Sequence, residues 1–136
     1  MFGRIDSSNV AATNPAPEAE YAIDAARCVV YVRFGCRLGL SEIEFYARAL
    51  AANPLFSPSF SEIVDLTAVK DLQLDAEAAV NLADQVDPFD LASKRAFIAT
   101  SAPQVHAARM HQILWSEKSI KIFDCEAAAR EWLQTP

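Results

Sequence analysis

The sequence predicts an α/β fold of the order β-β-α-β-α-β-α-β-α, with a five-stranded, mostly parallel sheet and helices on both faces. Short apolar segments alternate with longer segments whose apolar residues recur at helical spacing, which is typical of βαβ units. Because such crossovers are right-handed, four strands are expected to be parallel and the first antiparallel. The 136 residues, 52% of them hydrophobic, are enough for one domain with one core.

Two strands and a helix open the domain. Glu20 to Asp24 alternates apolar and polar residues, and Arg27 to Phe34 is rich in β-branched and aromatic residues, so the two segments predict an antiparallel hairpin. After a loop from Gly35 to Gly39, Ser41 stands three residues before Glu44. This spacing is a capping box and predicts the start of the first helix.

The middle of the chain continues the alternation of strands and helices. Asn53 and Pro54 end the first helix. The apolar segment from Glu62 to Leu66 predicts a buried strand, and a helix from about Asp75 to Val86 follows. Lys94 to Thr100 predicts the next strand.

The last third of the sequence predicts two helices around one short strand. Ser101 caps a helix that runs to about Ser116, and Ile120 to Phe123 forms the final strand. Asp124 is expected to cap the last helix, whose buried stripe includes Trp132.

Residues 1–18 are predicted to be a flexible extension of a single domain that spans residues 19–136. Their few large apolar residues, such as Phe2 and Ile5, cannot offset the entropy of ordering the segment. The same two side chains could nevertheless dock on this subunit or on a neighbour.

Charge and cysteine content exclude several classes of function. The chain has 12 Lys and Arg against 18 Asp and Glu, a net charge of −6, which disfavours nucleic acid as a partner. No window approaches the roughly 18 apolar residues of a membrane span, and no signal peptide pattern begins the chain, so a cytoplasmic protein is predicted. Cys28, Cys36 and Cys125 contain no CxxC pair, so no zinc site is expected, and Cys28 is predicted to be a core residue.

Four segments resemble, in the right order, the SpoIIAA-like (STAS-type) family. The first is Asn-Pro-Leu-Phe-Ser-Pro-Ser-Phe from Asn53 to Phe60, which leads into Ile63-Val64-Asp65-Leu66. The others are the strand from Lys94 to Thr100, Ala108-Arg109-Met110, and Ile122-Phe123 with Glu126-Ala127 and Trp132-Leu133. The resemblance covers about residues 19 to 134 and implies the SpoIIAA-like fold, which is related in topology to CRAL-TRIO lipid-binding domains. Relatives with this fold mostly bind partners.

The resemblance also implies that a phosphorylation switch is missing. In the anti-sigma factor antagonists of this family, a serine in an Asp-Ser-Ser-Gly segment is phosphorylated. Aligning the family on Asp65-Leu66-Thr67 places Gln73, Leu74 and Asp75 at the Asp-Ser-Ser positions. Asp75 is therefore predicted to cap a helix.

A ligand site in an open α/β sheet is expected beyond the carboxyl ends of the parallel strands. The candidate ligand or anion site at this rim consists of Asp65, Thr67, Asp75, Ser101, His106 and Arg109. His106 and Arg109 are three residues apart and share a helical face. Arg109 could bind an anion, or it could pair with a carboxylate of the fold. The absence of GxSxG and glycine-rich phosphate motifs disfavours a serine hydrolase and a nucleotide-dependent enzyme.

The first helix and the loop after it carry many aromatic residues, which predicts a homodimer interface. Its candidate residues are Phe45, Leu55, Phe56 and Phe60.

These observations predict a non-enzymatic, regulatory protein that acts through protein contact and needs no cofactor. The alternative is a carrier that holds an acyl or other apolar ligand beneath the helix containing Arg109. The related lipid-binding fold and the cluster of Met110, Leu114 and Trp115 suggest this alternative. A hydrolase site at the strand rim is a third hypothesis.

Overall fold

The computed structural model describes residues 3–4, 19–75, 77, 80, 87–115 and 118–136. Segments with alternating apolar residues form strands, and segments with apolar residues at helical spacing form helices, at nearly all the predicted positions. In chain order the elements are β1 (Gly3–Arg4), β2 (Ala19–Asp24), β3 (Val29–Phe34), β4 (Arg37–Gly39), α1 (Leu40–Ala51), β5 (Ser61–Asp65), β6 (Asp71–Gln73), β7 (Arg95–Ile98), α2 (Ala102–Trp115), β8 (Ile120–Phe123) and α3 (Glu126–Leu133).

The main sheet has the strand order β1-β2-β3-β5-β7-β8. Strands β2 and β3 form the predicted antiparallel hairpin, and β3, β5, β7 and β8 are parallel to one another. The predicted α/β class with a mostly parallel sheet is therefore confirmed. The two residues of β1 add an antiparallel edge beside β2.

A second, small sheet was not predicted. Strand β4 pairs in parallel with β6, so that Leu38 lies opposite Leu72. The backbone N–H groups of Lys70 and Asp71 also donate to the carbonyl of Cys36. Three-residue strands are too short to show an alternating pattern, so only the long-range pairing reveals them.

Each face of the main sheet buries a different set of side chains, because successive residues of a strand point to opposite faces. One face, here called the α1/α2 face, carries Val30, Val32 and Val64 and is covered by Leu50 of α1 and Ala108 of α2. The other face, called the α3 face, carries Tyr31, Ile63, Ala96 and Ile98 and is covered by Ala129 of α3. Helices on both faces are thus confirmed.

Three local predictions are wrong. Helix α1 begins two residues earlier than the predicted capping box, because the backbone N–H of Gly39 donates to Oε1 of Glu42 at 2.8 Å. Cys125 rather than Asp124 is the N-cap residue of α3. Cys28 is exposed, with a φ of 58° in the turn between β2 and β3, so it is not a core residue.

Two predicted segments lie mostly outside the described residues. These are the helix from Asp75 to Val86 and the extension at residues 1–18, apart from Gly3 and Arg4. Among the helices that the structure does describe, none has the length and apolar character needed to cross a membrane.

Replacing Trp132 by alanine should lower the free energy of unfolding by about 3 kcal/mol, the low end of the range for such substitutions. Trp132 packs its half-buried ring on the α3 face, with its centroid 5.8 Å from that of Phe123. Urea denaturation measures the change. Leu91→Ala, at a side chain that is 62% exposed, is the control and should change stability by less than about 0.5 kcal/mol. Equal effects of the two substitutions would show that α3 does not stabilise the sheet.

Candidate functional site

The carboxylate of Asp65, the first residue of the predicted rim site, is engaged in hydrogen bonds within the protein. It ends β5 on the α3 face, and its carboxylate accepts hydrogen bonds from the Tyr31 hydroxyl at 2.8 Å and from Nε of Arg33 at 3.4 Å. It also accepts from the backbone N–H and the hydroxyl of Thr67, at 2.9 and 2.6 Å. Burial would raise the pKa of the Asp65 carboxyl, but these hydrogen bonds and the Arg33 charge hold it below its ordinary value. Asp65 therefore closes a turn.

Gln104 forms part of the wall of the crevice where a ligand was expected. Its buried side chain accepts the backbone N–H groups of Thr100 and Ser101 at 2.8 and 3.2 Å. Its Nε2 donates to the carbonyls of Thr67 and Val69 at 3.3 and 2.8 Å. Gln104, a residue of α2 itself, thus caps the amino end of this helix. Sequence reasoning missed Gln104, although its place three residues after Ser101 is the capping-box spacing that would have identified it.

The remaining rim residues do not join into one site. Thr67 and Ser101 line a common cavity of about 400 Å³, together with Lys70, Thr100 and Gln104. Asp75, His106 and Arg109 are exposed and lie outside that cavity. Within the described residues, no group of His, Cys, Asp and Glu side chains is placed to hold a metal ion.

A buried charged cluster lies on the α1/α2 face, towards the amino ends of the parallel strands. Glu62 of β5 and Arg95 of β7 are register partners, and Arg95 Nε lies 2.9 Å from Glu62 Oε1. Arg95 Nη1 lies 2.6 Å from Oδ2 of Asp87, and the Tyr46 hydroxyl donates to Oε2 of Glu62 at 2.6 Å. All three charged side chains are at most 5% exposed. The alternation that turns Val64 and Phe97 inward also turns Glu62 and Arg95 inward.

Aromatic rings enclose the guanidinium of Arg95. Its Cζ lies 4.7 Å from the ring centroid of Phe89 and 5.5 Å from that of Trp115. The His111 ring stacks on Trp115 at 6.3 Å and 15°. Aromatic rings within about 6 Å of a desolvated cation stabilise it through cation–π attraction.

Two buried ring nitrogens beside this cluster have no hydrogen-bond partner within the described part of the chain. They are His111 Nε2 and Trp115 Nε1. His111 Nε2 lies 3.3 Å from Asp87 Oδ2, which is ion-pair distance, but the N–H direction is not aligned for a hydrogen bond. A buried donor without a partner costs about 1–3 kcal/mol.

Electrostatics fix the protonation of most of the cluster. Burial would lower the pKa of Arg95, but the carboxylates of Glu62 and Asp87 raise it above the ordinary value. Burial would raise the pKa of Asp87, but His111 and Arg95 hold it below the ordinary value. Burial and the Glu62 carboxylate raise the pKa of Tyr46 well above its ordinary value, so its hydroxyl stays a neutral donor. Glu62, Asp87 and Arg95 together carry a formal charge of −1, from two carboxylates and one guanidinium.

This cluster forms one wall of a cavity of about 100 Å³ between the sheet, α1 and α2. The polar lining residues are Tyr46, Glu62, Asp87, Arg95 and His111. The rest of the lining is apolar and includes Leu38, Ile43, Leu72, Phe97 and Met110. The sequence pattern did not predict the charged wall, because Glu62 stands at the edge of an apolar segment. A charged residue two positions before a core residue of a buried strand is the signal that was available.

The aromatic residues of the predicted dimer interface pack mostly against the core of their own chain. Phe45, Phe56 and Phe60 pack against the core of the α1/α2 face, and the Phe56 ring lies 5.1 Å from that of Phe89. Leu55 is 59% exposed. The excess of aromatic area that suggested an interface is thus accounted for inside one chain, and the homodimer stays a prediction.

Comparisons with known proteins support the fold. No family model and no curated protein matches the chain. Among solved structures, the chain is similar to an uncharacterised protein of the DUF3478 family with a SpoIIAA-like fold from Shewanella loihica PV-4. The TM-score is 0.60 at 18% sequence identity, and the match covers 90% of this chain and 99% of that one. The SpoIIAA-like fold expected from the sequence is confirmed, whereas the relation to CRAL-TRIO domains stays a prediction.

Tyr31 should make stability fall at alkaline pH. Burial and the hydrogen bond to Asp65 raise the pKa of Tyr31 from its ordinary value of 10.0 to about 12. The unfolded chain loses this proton first, so the contribution of Tyr31 is complete below pH 10 and is lost as the pH rises to about 12. Urea denaturation at a series of pH values should show a steeper loss above pH 10 in the wild type than in Tyr31→Phe. Parallel curves would contradict this assignment.

Removing the cation of the cluster should destabilise the fold strongly. Arg95→Met leaves two buried carboxylates without a counter-charge, and the expected loss is about 3–5 kcal/mol in the free energy of unfolding. Arg48→Met is the control, because it breaks an exposed pair with Glu44 at 3.7 Å and should cost less than about 1 kcal/mol. A small effect of Arg95→Met in urea denaturation would mean that water reaches the cluster.

Proposed function

We propose that this protein binds a small, mainly apolar molecule in the cavity between the sheet, α1 and α2, and that it does so without catalysing a reaction. The observation that carries the proposal is an apolar cavity with one wall of buried, mutually paired charges. Pockets that bind small molecules typically combine a mostly apolar lining with a few fixed polar groups.

Two buried ring nitrogens without a hydrogen-bond partner among the described residues, His111 Nε2 and Trp115 Nε1, add support. Most buried polar groups in native proteins have a hydrogen-bond partner, so each exception calls for an explanation. A bound molecule or an ordered water would supply the missing partner for His111, which lines the cavity.

The size of the cavity limits the ligand. An apolar cavity of roughly 150 Å³ is known to bind benzene, so an aromatic ring enters a cavity of about 100 Å³ only when side chains of the wall move outward. Met110 lies in the wall, and its flexible side chain allows the space to adapt. The cavity lies against the helix that contains Arg109, where the sequence suggested an apolar ligand.

The pairing of the polar side chains in the cavity wall supports a non-enzymatic role. Glu62 and Asp87 are both held by Arg95, and among the described lining residues there is no serine, threonine or cysteine to act as a nucleophile. The wall is therefore suited to binding and orientation.

Protein contact is the second candidate function. Ile113 and Leu114 are neighbouring apolar residues near the end of α2 that are 62% and 39% exposed. Exposed apolar residues that adjoin one another are a feature of interaction surfaces.

Toluene is a suitable probe of the first candidate. Titration of the full chain with toluene should shift the NMR signals of the Met110 methyl and the Trp115 indole N–H and should raise the melting temperature. Met110→Trp fills the cavity and should weaken binding at least about tenfold. Ile113→Trp, on the exposed side of the same helix, is the control and should leave binding unchanged.

The outcome separates the two candidates. If Met110→Trp does not fold, Leu74→Trp, which fills the same cavity, replaces it. The absence of toluene binding to the wild-type chain would refute the ligand-binding proposal. A molecular mass that rises with protein concentration in light scattering would then favour protein contact.

A further inference from the structure

From the charged wall we infer that the polar end of the ligand is uncharged and accepts hydrogen bonds, as a ketone, ester or ether oxygen does. This inference rests on the proposed function and specifies its ligand class. Two properties of the wall carry it: its net charge and the kind of hydrogen-bonding group that remains unused.

The net charge argues against an anionic ligand. Glu62 and Asp87 supply two negative charges and Arg95 one positive charge, all nearly inaccessible to water. A carboxylate or phosphate in the same cavity would add a second uncompensated negative charge at low dielectric. Like charges in such a place are strongly disfavoured.

The hydrogen bonds that the carboxylates of the wall already accept argue against a cationic ligand. Every carboxylate oxygen of the wall already accepts a hydrogen bond: Glu62 from Arg95 and Tyr46, and Asp87 from Arg95 and the backbone N–H of Phe89. An ammonium or amidinium group has several donors and no acceptor. It would have to compete with Arg95 for oxygens that are already engaged.

The unused group of Arg95 is a donor. Arg95 spends Nε and Nη1 on the two carboxylates, and its Nη2 has no hydrogen bond to the described residues. His111 Nε2 lies 3.3 Å from Asp87 Oδ2 and makes no aligned hydrogen bond with the described residues. Both residues line the cavity. An uncharged acceptor can bind the Arg95 donor without adding charge.

Three planar aromatic molecules of nearly equal size test the inference: acetophenone, benzoate and benzamidine. They carry a neutral carbonyl, a negative charge and a positive charge on the same ring. Titrations of the full chain with each molecule in the same buffer give the three affinities by NMR. Acetophenone should bind at least about tenfold more tightly than benzoate and benzamidine. Toluene in the same buffer reports on the cavity itself.

A variant gives an independent measurement. Glu62→Gln keeps the shape of the side chain and brings the formal charge of the wall from −1 to neutral, so the preference for acetophenone over benzoate should shrink at least about threefold. Asp87→Asn serves the same purpose if Glu62→Gln does not fold. Leu91→Gln, at an exposed position, is the control and should leave the preference unchanged.

Each outcome has one meaning. If toluene binds and benzoate or benzamidine binds as tightly as acetophenone, the inference is wrong and the proposed function stands. An unchanged preference in both Glu62→Gln and Asp87→Asn would also overturn the inference, because charge would then not set it. If toluene fails to bind, the proposed function itself is wrong.

Discussion

The ion pairs of Arg95 connect side chains from several separate parts of this fold. Through Glu62 they join β7 to β5, and through Asp87 they fix the chain that leads into β7. The Tyr46 hydroxyl brings α1 to the same cluster, and Trp115 covers the guanidinium from α2. A charge removed from water is stable only where all its partners are in place, so the cluster sets the relative position of the sheet and both helices.

The polar side chains at the two ends of the sheet differ in their hydrogen bonding. At the carboxyl ends of the strands, the side chains of Asp65 and Gln104 pair with nearby backbone groups, beside the rim cavity of about 400 Å³. At the amino ends, the ring nitrogens of His111 and Trp115 have no hydrogen-bond partner among the described residues, and His111 lines an apolar cavity. The buried charges that adjoin a cavity therefore lie in the interior of the α1/α2 face.

An apolar core would be the simpler way to fill this interior. Replacing a buried ion pair by hydrophobic residues of similar volume is often neutral or stabilising, so stability alone does not account for Glu62 and Arg95. A paired cluster with a net charge does give the cavity a preference among ligands. Such a preference arises as much from groups that the wall repels as from groups that it attracts.

The sequence by itself determined the order of the elements, the parallel sheet and the helices on both faces, because periodicity and crossover handedness act locally and along the chain. It also indicated an apolar cluster on α2. Only the tertiary structure brought the charged cluster together. Glu62, Asp87 and Arg95 are separated by up to 33 positions in the chain, and they become neighbours through strand register and packing. The six-residue rim site failed for the same reason, since the packing of the helix and loops leaves Asp75, His106 and Arg109 outside the cavity that Thr67 and Ser101 line. Charge pairing and cavity shape are properties of contacts between segments, and no single segment encodes them.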